Sequence, residues 1–413
     1  MNKTNFTSLF PTFDRTAVAS HHALRQAARA RLAQASWPTA KFEDWRFTSV
    51  GPLVDSVFEL PASDWTIDLA LLPKRQGTET IRLVFINGRF SGALSSVPAT
   101  KARIATLADA KNATLLTKIA NDDDSPFTAL NTSFLDDGAC LQIPDGVVLE
   151  QPIEIIQLAR GGRQAGLLNP RVLIVLGKNA QATIVERFRG EGGYFTNAVT
   201  EIALGEHALL DHVKVQQESN SAAHIATTQV VQAARSTFAT HYLSLGGDLV
   251  RNEIRVRFDG ERAEATVNGL YMGTGKQHLD NFTVIDHAQP NCASHELYKG
   301  ILDGRAHGVF NGKIFVRKDA QKTDAKQTNK VLLLSDDATI NTKPQLEIFA
   351  DDVKCTHGAT VGQLDANQLF YLQSRGIPLE QARRLLTFAF ANDIVSRIKI
   401  DAIRSELEAR IVK

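Results

Sequence analysis

The sequence predicts a mainly β protein whose core consists of short stacked strands and whose two terminal regions are helical. Between residue 139 and about residue 350, nearly every segment is short and rich in β-branched residues. Glycine and Asn/Asp turns separate these segments, as in Gly246-Gly-Asp248 and Asp303-Gly304. The 3.6-residue period of amphipathic helices is clearest at the two ends of the chain.

The predicted strands leave three architectures open: a sandwich, a large barrel and a solenoid. The pattern favours the solenoid, because the block is large for one sandwich and its strands lack the long alternation of a barrel wall. Two strands recur in about every 22–28 residues, a length that suits one coil of a β-helix. The twelve predicted strands are 153–158, 171–176, 181–188, 199–204, 208–215, 225–231, 237–245, 253–258, 263–271, 279–285, 293–302 and 308–316.

We divide the chain into three regions. Residues 1–138 form an N-terminal helical and mixed region, residues 139–363 the solenoid core, and residues 364–413 a C-terminal helical region. In the first region, apolar residues recur at roughly helical spacing through residues 15–35. Trp37-Pro38 ends that helix, since proline disfavours a helical residue before it.

The C-terminal region is expected to contain two amphipathic helices. Pro378 lies near a helix start and is followed by an apolar stripe, with basic residues on the opposite face. Such helices at a chain end usually pack on their own domain, and the alternative is a surface for a partner protein. The stripe residues that we assign to a partner contact are Leu385, Leu386, Phe390 and Ile394.

Composition argues against several classes of protein. The 46 Lys and Arg residues nearly balance the 45 Asp and Glu residues, so the net charge of +1 provides no basis for capturing nucleic acid or an anionic membrane. No apolar run approaches the roughly 18–20 residues that span a bilayer, and the N-terminus has no signal-peptide core. We therefore expect a cytoplasmic protein.

The chain has three cysteines: Cys140, Cys292 and Cys355. An odd number without a CxxC pair argues against a disulfide framework and fits a reducing compartment. The number also excludes an iron–sulfur cluster ligated by four cysteines of this chain alone.

The strongest candidate for chemistry is Cys355-Thr-His357, which follows Asp351 and Asp352. Residues i and i+2 of a strand share a face, so a thiol and an imidazole would lie side by side, and both bind soft or borderline metals. Taken alone, such a pair is more often a buried cysteine and a hydrogen-bonded histidine. The spacing is not a zinc-finger signature, so a metal here would need ligands from another segment or another chain.

Other motifs do not indicate an enzyme. The sequence has neither a P-loop, nor a GxGxxG after a strand, nor a GxSxG elbow. Cys292 and His295 are three apart, so in a strand they point to opposite faces, and we interpret them as structural. The alternatives that stay open are a self-assembling structural solenoid and a β-helix carbohydrate lyase or hydrolase. The lyase or hydrolase would use Asp351, Asp352, Glu347 and Lys354.

Several longer motifs are informative as whole sequences, beyond the chemistry of their individual residues. They are Trp37-Pro-Thr-Ala-Lys-Phe-Glu-Asp-Trp45-Arg-Phe-Thr48, Phe85-Ile-Asn-Gly-Arg-Phe90, Ala129-Leu-Asn131, Tyr298-Lys-Gly300, Phe310-Asn-Gly-Lys-Ile314 and Asp352-Val-Lys-Cys355-Thr-His357-Gly-Ala-Thr-Val-Gly362. In these motifs, and over most of its length, the chain resembles the SufB/SufD family of iron–sulfur cluster assembly scaffold proteins. Its length, the lack of a cysteine-bearing N-terminal extension and the lack of a cysteine near 327–329 favour the SufD branch.

The resemblance implies a right-handed parallel β-helix with helical N-terminal and C-terminal domains and a scaffold role that is not enzymatic. It implies pairing with SufB through the β-helix and binding of the ATPase SufC by the C-terminal helices. A cysteine desulfurase and its sulfur carrier would supply sulfur indirectly, and the isolated chain could form a homodimer. The family's functional pair falls on Cys355 and His357, which would hold a nascent iron–sulfur cluster at the SufB interface, with no cofactor stably bound to the isolated chain.

Overall fold

The chain folds into two large facing sheets with helices at both ends. The computed structural model describes residues 3–61, 68–74, 80–108, 116–120, 125–162 and 164–411. Successive strands of the core alternate between the two sheets and pair in parallel within each sheet. The predicted fold class, a parallel β-solenoid with helical terminal regions, is therefore confirmed. The right-handed sense of the coil stays a prediction.

The strands are numbered along the described chain. Sheet 1 has the order β4-β5-β8-β10-β12-β14-β16-β18-β20, with β7 beside β10 and β1 beside β7, and sheet 2 has the order β3-β2-β6-β9-β11-β13-β15-β17-β19-β21. Their bounds are β1 Phe58–Glu59, β2 Ile81–Ile86, β3 Arg89–Phe90, β4 Arg103–Thr106, β5 Ala139–Ile143, β6 Ile153–Arg160, β7 Ala165–Leu168, β8 Arg171–Leu176, β9 Gln181–Glu191, β10 Tyr194–Leu204, β11 Leu209–Gln217, β12 Ala223–Gln232, β13 Thr237–Ser244, β14 Leu249–Phe258, β15 Glu264–Gly273, β16 His278–His287, β17 Ala293–Leu302, β18 His307–Val316, β19 Asp324–Leu333, β20 Thr339–Ile348 and β21 Lys354–Gly362.

The helices lie before and after the solenoid. No helix in the described part of the chain is long and apolar enough to cross a membrane. The α-helices are α1 Thr4–Thr7, α2 Phe10–Asp14, α3 His22–Gln34, α4 Gly51–Val54, α5 Pro126–Ser133, α6 Ala366–Ser374, α7 Leu379–Val395 and α8 Asp401–Ile411. Short 3₁₀ turns cover Ala19–His21, Glu43–Trp45 and Leu69–Leu71.

One coil of the solenoid contains one strand from each sheet. Ala223 pairs with Leu249 in the next coil of sheet 1, so the early coils match the predicted period. Later coils take about 30 residues, since His278 pairs with His307 and His307 with Thr339. All twelve predicted segments are strands, and parallel pairing between strands two apart in the chain excludes the sandwich and the barrel.

Turns with a left-handed residue close successive coils at the same point. Asn179, His207 and Arg235 have φ of 55°, 58° and 56°, a region that residues other than glycine rarely occupy. Their main-chain N–H groups donate to carbonyl oxygens in the turn of the next coil at 2.9 to 3.1 Å. The main-chain N–H groups of the stacked turns therefore form hydrogen bonds between coils, as those of the strands do.

The N-terminal region covers the outer face of sheet 1 and also supplies strands. Although they lie in the region 1–138, strands β2 and β4 are part of sheets 2 and 1. The ring of Trp45 lies 3.7 Å from the guanidinium of Arg251, which is buried and forms ion pairs with Glu253 and Asp280. Part of the motif from residue 37 to residue 48 therefore packs against the solenoid.

The C-terminal helices α7 and α8 cover the outer face of sheet 2. Helix α7 begins after Pro378, as predicted, and its Ile394 and Val395 are buried against apolar residues of the sheet. An ion pair of 2.8 Å between Arg187 and Glu406 adds to this contact. Packing on the chain's own domain thus accounts for α7 and α8, whereas α6 has no buried residue.

Tyrosine rings fill the space that glycines leave inside the solenoid. Tyr298 in β17 lies beside Gly269 in β15, and Tyr271 in β15 lies beside Gly300 in β17. A Cβ atom on Gly300 would lie 2.4 Å from the ring of Tyr271, closer than van der Waals contact permits. The two glycines are therefore needed for the two buried rings to interlock.

Replacing Gly300 with Ala should lower the free energy of unfolding by about 1–3 kcal/mol, because the added methyl overlaps a ring that cannot move in a packed interior. Gly358→Ala is the matched control, since a Cβ there meets nothing within 4 Å. Urea denaturation of both variants measures the difference. Equal midpoints for the two variants would contradict the steric argument.

A carboxyl group is buried inside the solenoid two coils from its C-terminal end. Glu296 in β17 is 4% exposed, and its Oε2 accepts a 2.7 Å hydrogen bond from Nε2 of Gln327 in β19. Burial raises the pKa of Glu296 from 4.5 to about 7, although hydrogen bonds from Thr283 and Gln327 oppose the shift. The folded chain therefore holds this proton at a pH at which the unfolded chain has released it.

Glu296 should consequently make the chain less stable as the pH rises from about 4.5 to about 7. Below this window both states are protonated, and above it both are ionised, so the loss is confined to the window. Glu296→Gln removes this titrating group. The free energy of unfolding of wild type, relative to that of the variant, should fall by up to about 3 kcal/mol across the window. Urea denaturation of both proteins over a pH series checks the difference, and parallel curves would contradict the assignment.

Candidate metal site at the open end of the solenoid

The solenoid ends in an open coil formed by β20 and β21. These are the last strands of sheets 1 and 2, and in the described part of the chain no strand pairs with their outer edges. Most residues of β21 are exposed and most of β20 are half-buried, whereas β18 in the preceding coil is largely buried. Unpaired strand edges present main-chain donors and acceptors that can pair with another chain.

Cys355 and His357 lie on the inner face of β21. The main-chain register aligns Cys355 with Ala325 and His357 with Gln327 of β19. Ala325 and Gln327 are buried inside the solenoid, whereas Lys326 between them is exposed. Because side chains alternate along a strand, the thiol and the imidazole share the side that faces the interior of the open coil.

The Cys355 thiol is free and packs at the rim of the main core. Burial raises the pKa of this thiol, and the charge of Asp324 raises it further, against a hydrogen bond with the main chain of Ala325. The thiol is therefore protonated at neutral pH. A metal would have to displace that proton, since the thiolate is the ligand.

The pair supplies two metal ligands and fits iron chemistry only in part. Across the described ranges, no group of three or more His, Cys, Asp and Glu side chains is placed to hold a metal ion. Asp352 forms an ion pair with Lys322 of the neighbouring turn. Thiolate and imidazole are both ligands of iron–sulfur clusters. The donor set therefore fits a cluster whose other ligands come from elsewhere.

The carboxylates considered for a carbohydrate enzyme are engaged separately. Glu347 in β20 forms an ion pair with Lys313 at 2.5 Å, and Asp352 is paired with Lys322 in a turn. A glycosidase mechanism needs two carboxyl groups across one groove. These two ion pairs lie on different elements, so the arrangement gives that alternative no support.

The two residues of the other cysteine–histidine motif point to opposite faces, as predicted. Cys292 is buried in the main core, and its thiol donates to the carbonyl oxygen of Gly260 at 3.4 Å. His295 is exposed on the opposite face of β17.

The predicted partner residues divide between two environments. Ile394 is fully buried on sheet 2, and Phe390 packs beside it, with its carbonyl oxygen accepting a 3.0 Å hydrogen bond from Lys299. Leu385 is 43% exposed and Leu386 is half-buried. Phe390 is half-buried like Leu386 but packs on the apolar cluster of sheet 2, so of these four residues we take Leu385 and Leu386 as the apolar surface available to a partner.

Two further exposed aromatic residues lie close to that surface. Phe370 and Tyr371 of α6 are 73% and 57% exposed, and Tyr371 lines a shallow cavity with Leu386. The sequence alone does not assign these two residues to the partner surface. Two adjacent aromatic residues in a nine-residue helix are the signal that could have identified them.

Comparisons with known proteins cover nearly the whole chain. The model for "SUF system FeS cluster assembly, SufBD core domain" matches residues 159–390, and that for "SufBD protein N-terminal region" matches residues 3–155. An iron–sulfur cluster assembly SufBD family protein of Synechocystis is 35% identical over 405 residues, which are 93% of this chain and 88% of the relative. The iron–sulfur cluster assembly protein SufD of Escherichia coli is 30% identical over 399 residues, or 92% and 90% of the two chains. The chain therefore belongs to the SufB/SufD family of iron–sulfur cluster assembly proteins.

Proposed function

We propose that this chain is a non-catalytic scaffold subunit that pairs with SufB, binds the ATPase SufC and helps to hold a nascent iron–sulfur cluster. The observation that carries the proposal is the open coil with Cys355 and His357 on its inner face. The family assignment supplies the reaction, and the geometry supports the place where this chain takes part in it.

The open coil has the properties of a protein interface. Its two edge strands offer unpaired main-chain groups, and the apolar side chains of Ile340, Leu346 and Val353 are only partly covered there. Pairing with the corresponding end of SufB would extend both sheets and cover these side chains. In the absence of SufB, the same edge would be free to pair with a second copy of this chain.

The cluster is the cargo of this interface. Cys355 and His357 would supply two of its ligands, SufB would supply the rest, and sulfur would come from a cysteine desulfurase through its carrier. Dividing the ligands between two subunits lets a movement of one subunit loosen the site and release the cluster. ATP binding to SufC can drive such a movement if SufC binds one arrangement of the scaffold more tightly than the other.

The exposed part of the C-terminal helices is the surface that we assign to SufC. Leu385, Leu386, Phe370 and Tyr371 present apolar area there, whereas Phe390 and Ile394 hold the base of α7 on sheet 2. This arrangement modifies the assignment from sequence: two of the four stripe residues would contact SufC directly, and two would support the contact from below.

Replacing His357 or Cys355 with Ala should strongly reduce cluster assembly on the reconstituted complex while the complex still forms. Each variant removes a ligand at the open edge, where His357 is exposed and Cys355 is half-buried at the rim of the core. His295→Ala is the control, because His295 is also an exposed histidine but lies on the outer face of β17. Anaerobic reconstitution followed by absorption spectroscopy measures assembly, and full activity in both site variants would refute the ligand role.

Leu386→Asp and Leu385→Asp should weaken SufC binding by about 30-fold or more, since a charge in the centre of an apolar contact costs at least about 2 kcal/mol. Leu69→Asp is the matched control, as Leu69 is exposed but belongs to the N-terminal region. Calorimetric titration of SufC into each variant gives the affinity, and circular dichroism verifies the fold. Unchanged binding by both helix variants would place the SufC contact elsewhere.

A further inference from the structure

We propose that Gln327 is a positioning residue for His357. When the imidazole turns inward, the side-chain oxygen of Gln327 would accept a hydrogen bond from one ring nitrogen, which leaves the other nitrogen as the ligand that faces the open end. The inference rests on the proposed function, in which His357 binds the cluster, and adds to it the group that orients the ring.

The first observation is the place of Gln327 in the fold. It lies directly beneath His357 in the register between β19 and β21, on the same inner face. Gln327 is 1% exposed, whereas His357 is exposed at the open edge. Aligned side chains of neighbouring strands are close enough to form a hydrogen bond.

The second observation is the orientation of the Gln327 amide. Its Nε2 donates to Oε2 of Glu296 at 2.7 Å, on the side away from the open end. Once Glu296 is ionised its carboxylate can only accept, so it then fixes which end of the amide is the nitrogen. The Oε1 atom of Gln327 is buried and has no hydrogen-bond partner in the described residues. A buried acceptor without a partner is costly, and His357 is the next residue of that column toward the open end and carries an imidazole N–H.

The third observation is a space in the facing sheet. Gly312 of β18 lies opposite Gln327, and a Cβ atom there would be 2.3 Å from Nε2 and 2.7 Å from Cδ of the amide. Any larger residue at position 312 would displace the amide. The absence of a side chain at Gly312 thus preserves the conformation that aims Oε1 away from Glu296.

The chemistry explains why an acceptor is needed at this point. A metal-bound imidazole commonly donates its second N–H to a nearby oxygen, which selects the tautomer and the ring orientation. Without that acceptor, an exposed histidine on an edge strand distributes between tautomers and rotamers. Loss of such a partner typically reduces metal affinity or activity by about 10- to 100-fold.

Asn329 offers a matched comparison on the same strand. It is also 1% exposed, but its Oδ1 accepts from Tyr271 and its Nδ2 donates to Thr342. Its register partner in β21 is Ala359, which has no polar group to orient. A substitution of Asn329 therefore shows what the loss of a buried amide does in this coil. A substitution of Gln327 shows in addition what the loss of an acceptor beneath the imidazole does.

The test is nitrogen NMR of the full chain with ¹⁵N-labelled histidine, at a pH well above the ordinary imidazole pKa of about 6.5. Comparison with His357→Ala assigns the signal of His357. Wild type should show one dominant tautomer of this ring, and Gln327→Met should show both. Gly312→Ala, which keeps Gln327 but displaces its amide, should resemble Gln327→Met, and Asn329→Leu should resemble wild type.

Cluster assembly on the complete complex provides the second measurement. Gln327→Met should slow assembly about tenfold or more, and Asn329→Leu less than twofold. If the tautomer populations of Gln327→Met and Gly312→Ala match those of wild type, the positioning role is wrong, even where His357→Ala abolishes assembly. If His357→Ala assembles clusters normally while the tautomer still depends on Gln327, the ligand role fails and the hydrogen bond stands.

Discussion

The main-chain register between coils is the constraint on which the rest of this structure depends. Ten consecutive residues of β16 pair with ten of β18, and ten of β18 with ten of β20, without a bulge. A slip of one residue would turn every inward side chain outward. Because the register is kept, side chains of successive coils stand in columns, and one such column contains Glu296, Gln327 and His357.

A stack of this kind has no intrinsic end, so each end needs a different solution. At the first coils, β3 and β4 run antiparallel to their neighbours and close the sheets with segments of the same chain. At the last coil, β20 and β21 are left with unpaired edges among the described residues. The closed end is part of the fold, whereas the open end is the surface to which the proposed function assigns a partner chain. The column that ends in His357 reaches this open end.

Much of the fold could be predicted from sequence because its turns are marked by Gly, Asn and Asp and its strands by β-branched residues. Strand β19 was harder to recognise, because its inner face includes Gln327 and Asn329. These residues are buried although they are polar, so the strand lacks the usual alternation of apolar and polar residues. The pair Cys355 and His357 could be found from local spacing, but Gln327 could not, because only the register between coils brings it beneath the imidazole. The apolar stripe of the C-terminal helices likewise cannot tell Ile394, which is buried, from Leu385, which is exposed.

The structure also connects the two surfaces that the proposed function uses. Lys299 on the outer face of β17 binds the carboxylate of Asp393 at 2.8 Å and the carbonyl oxygen of Phe390, both in α7. Glu296, on the inner face of the same strand, holds the amide of Gln327. Under the proposed function, a partner that moves α7 would therefore act on the strand whose other face carries Glu296, the first member of the column that ends in His357. Since a packed interior responds to strain by shifting between discrete arrangements, a small displacement at α7 can change the geometry of the open coil without unfolding it.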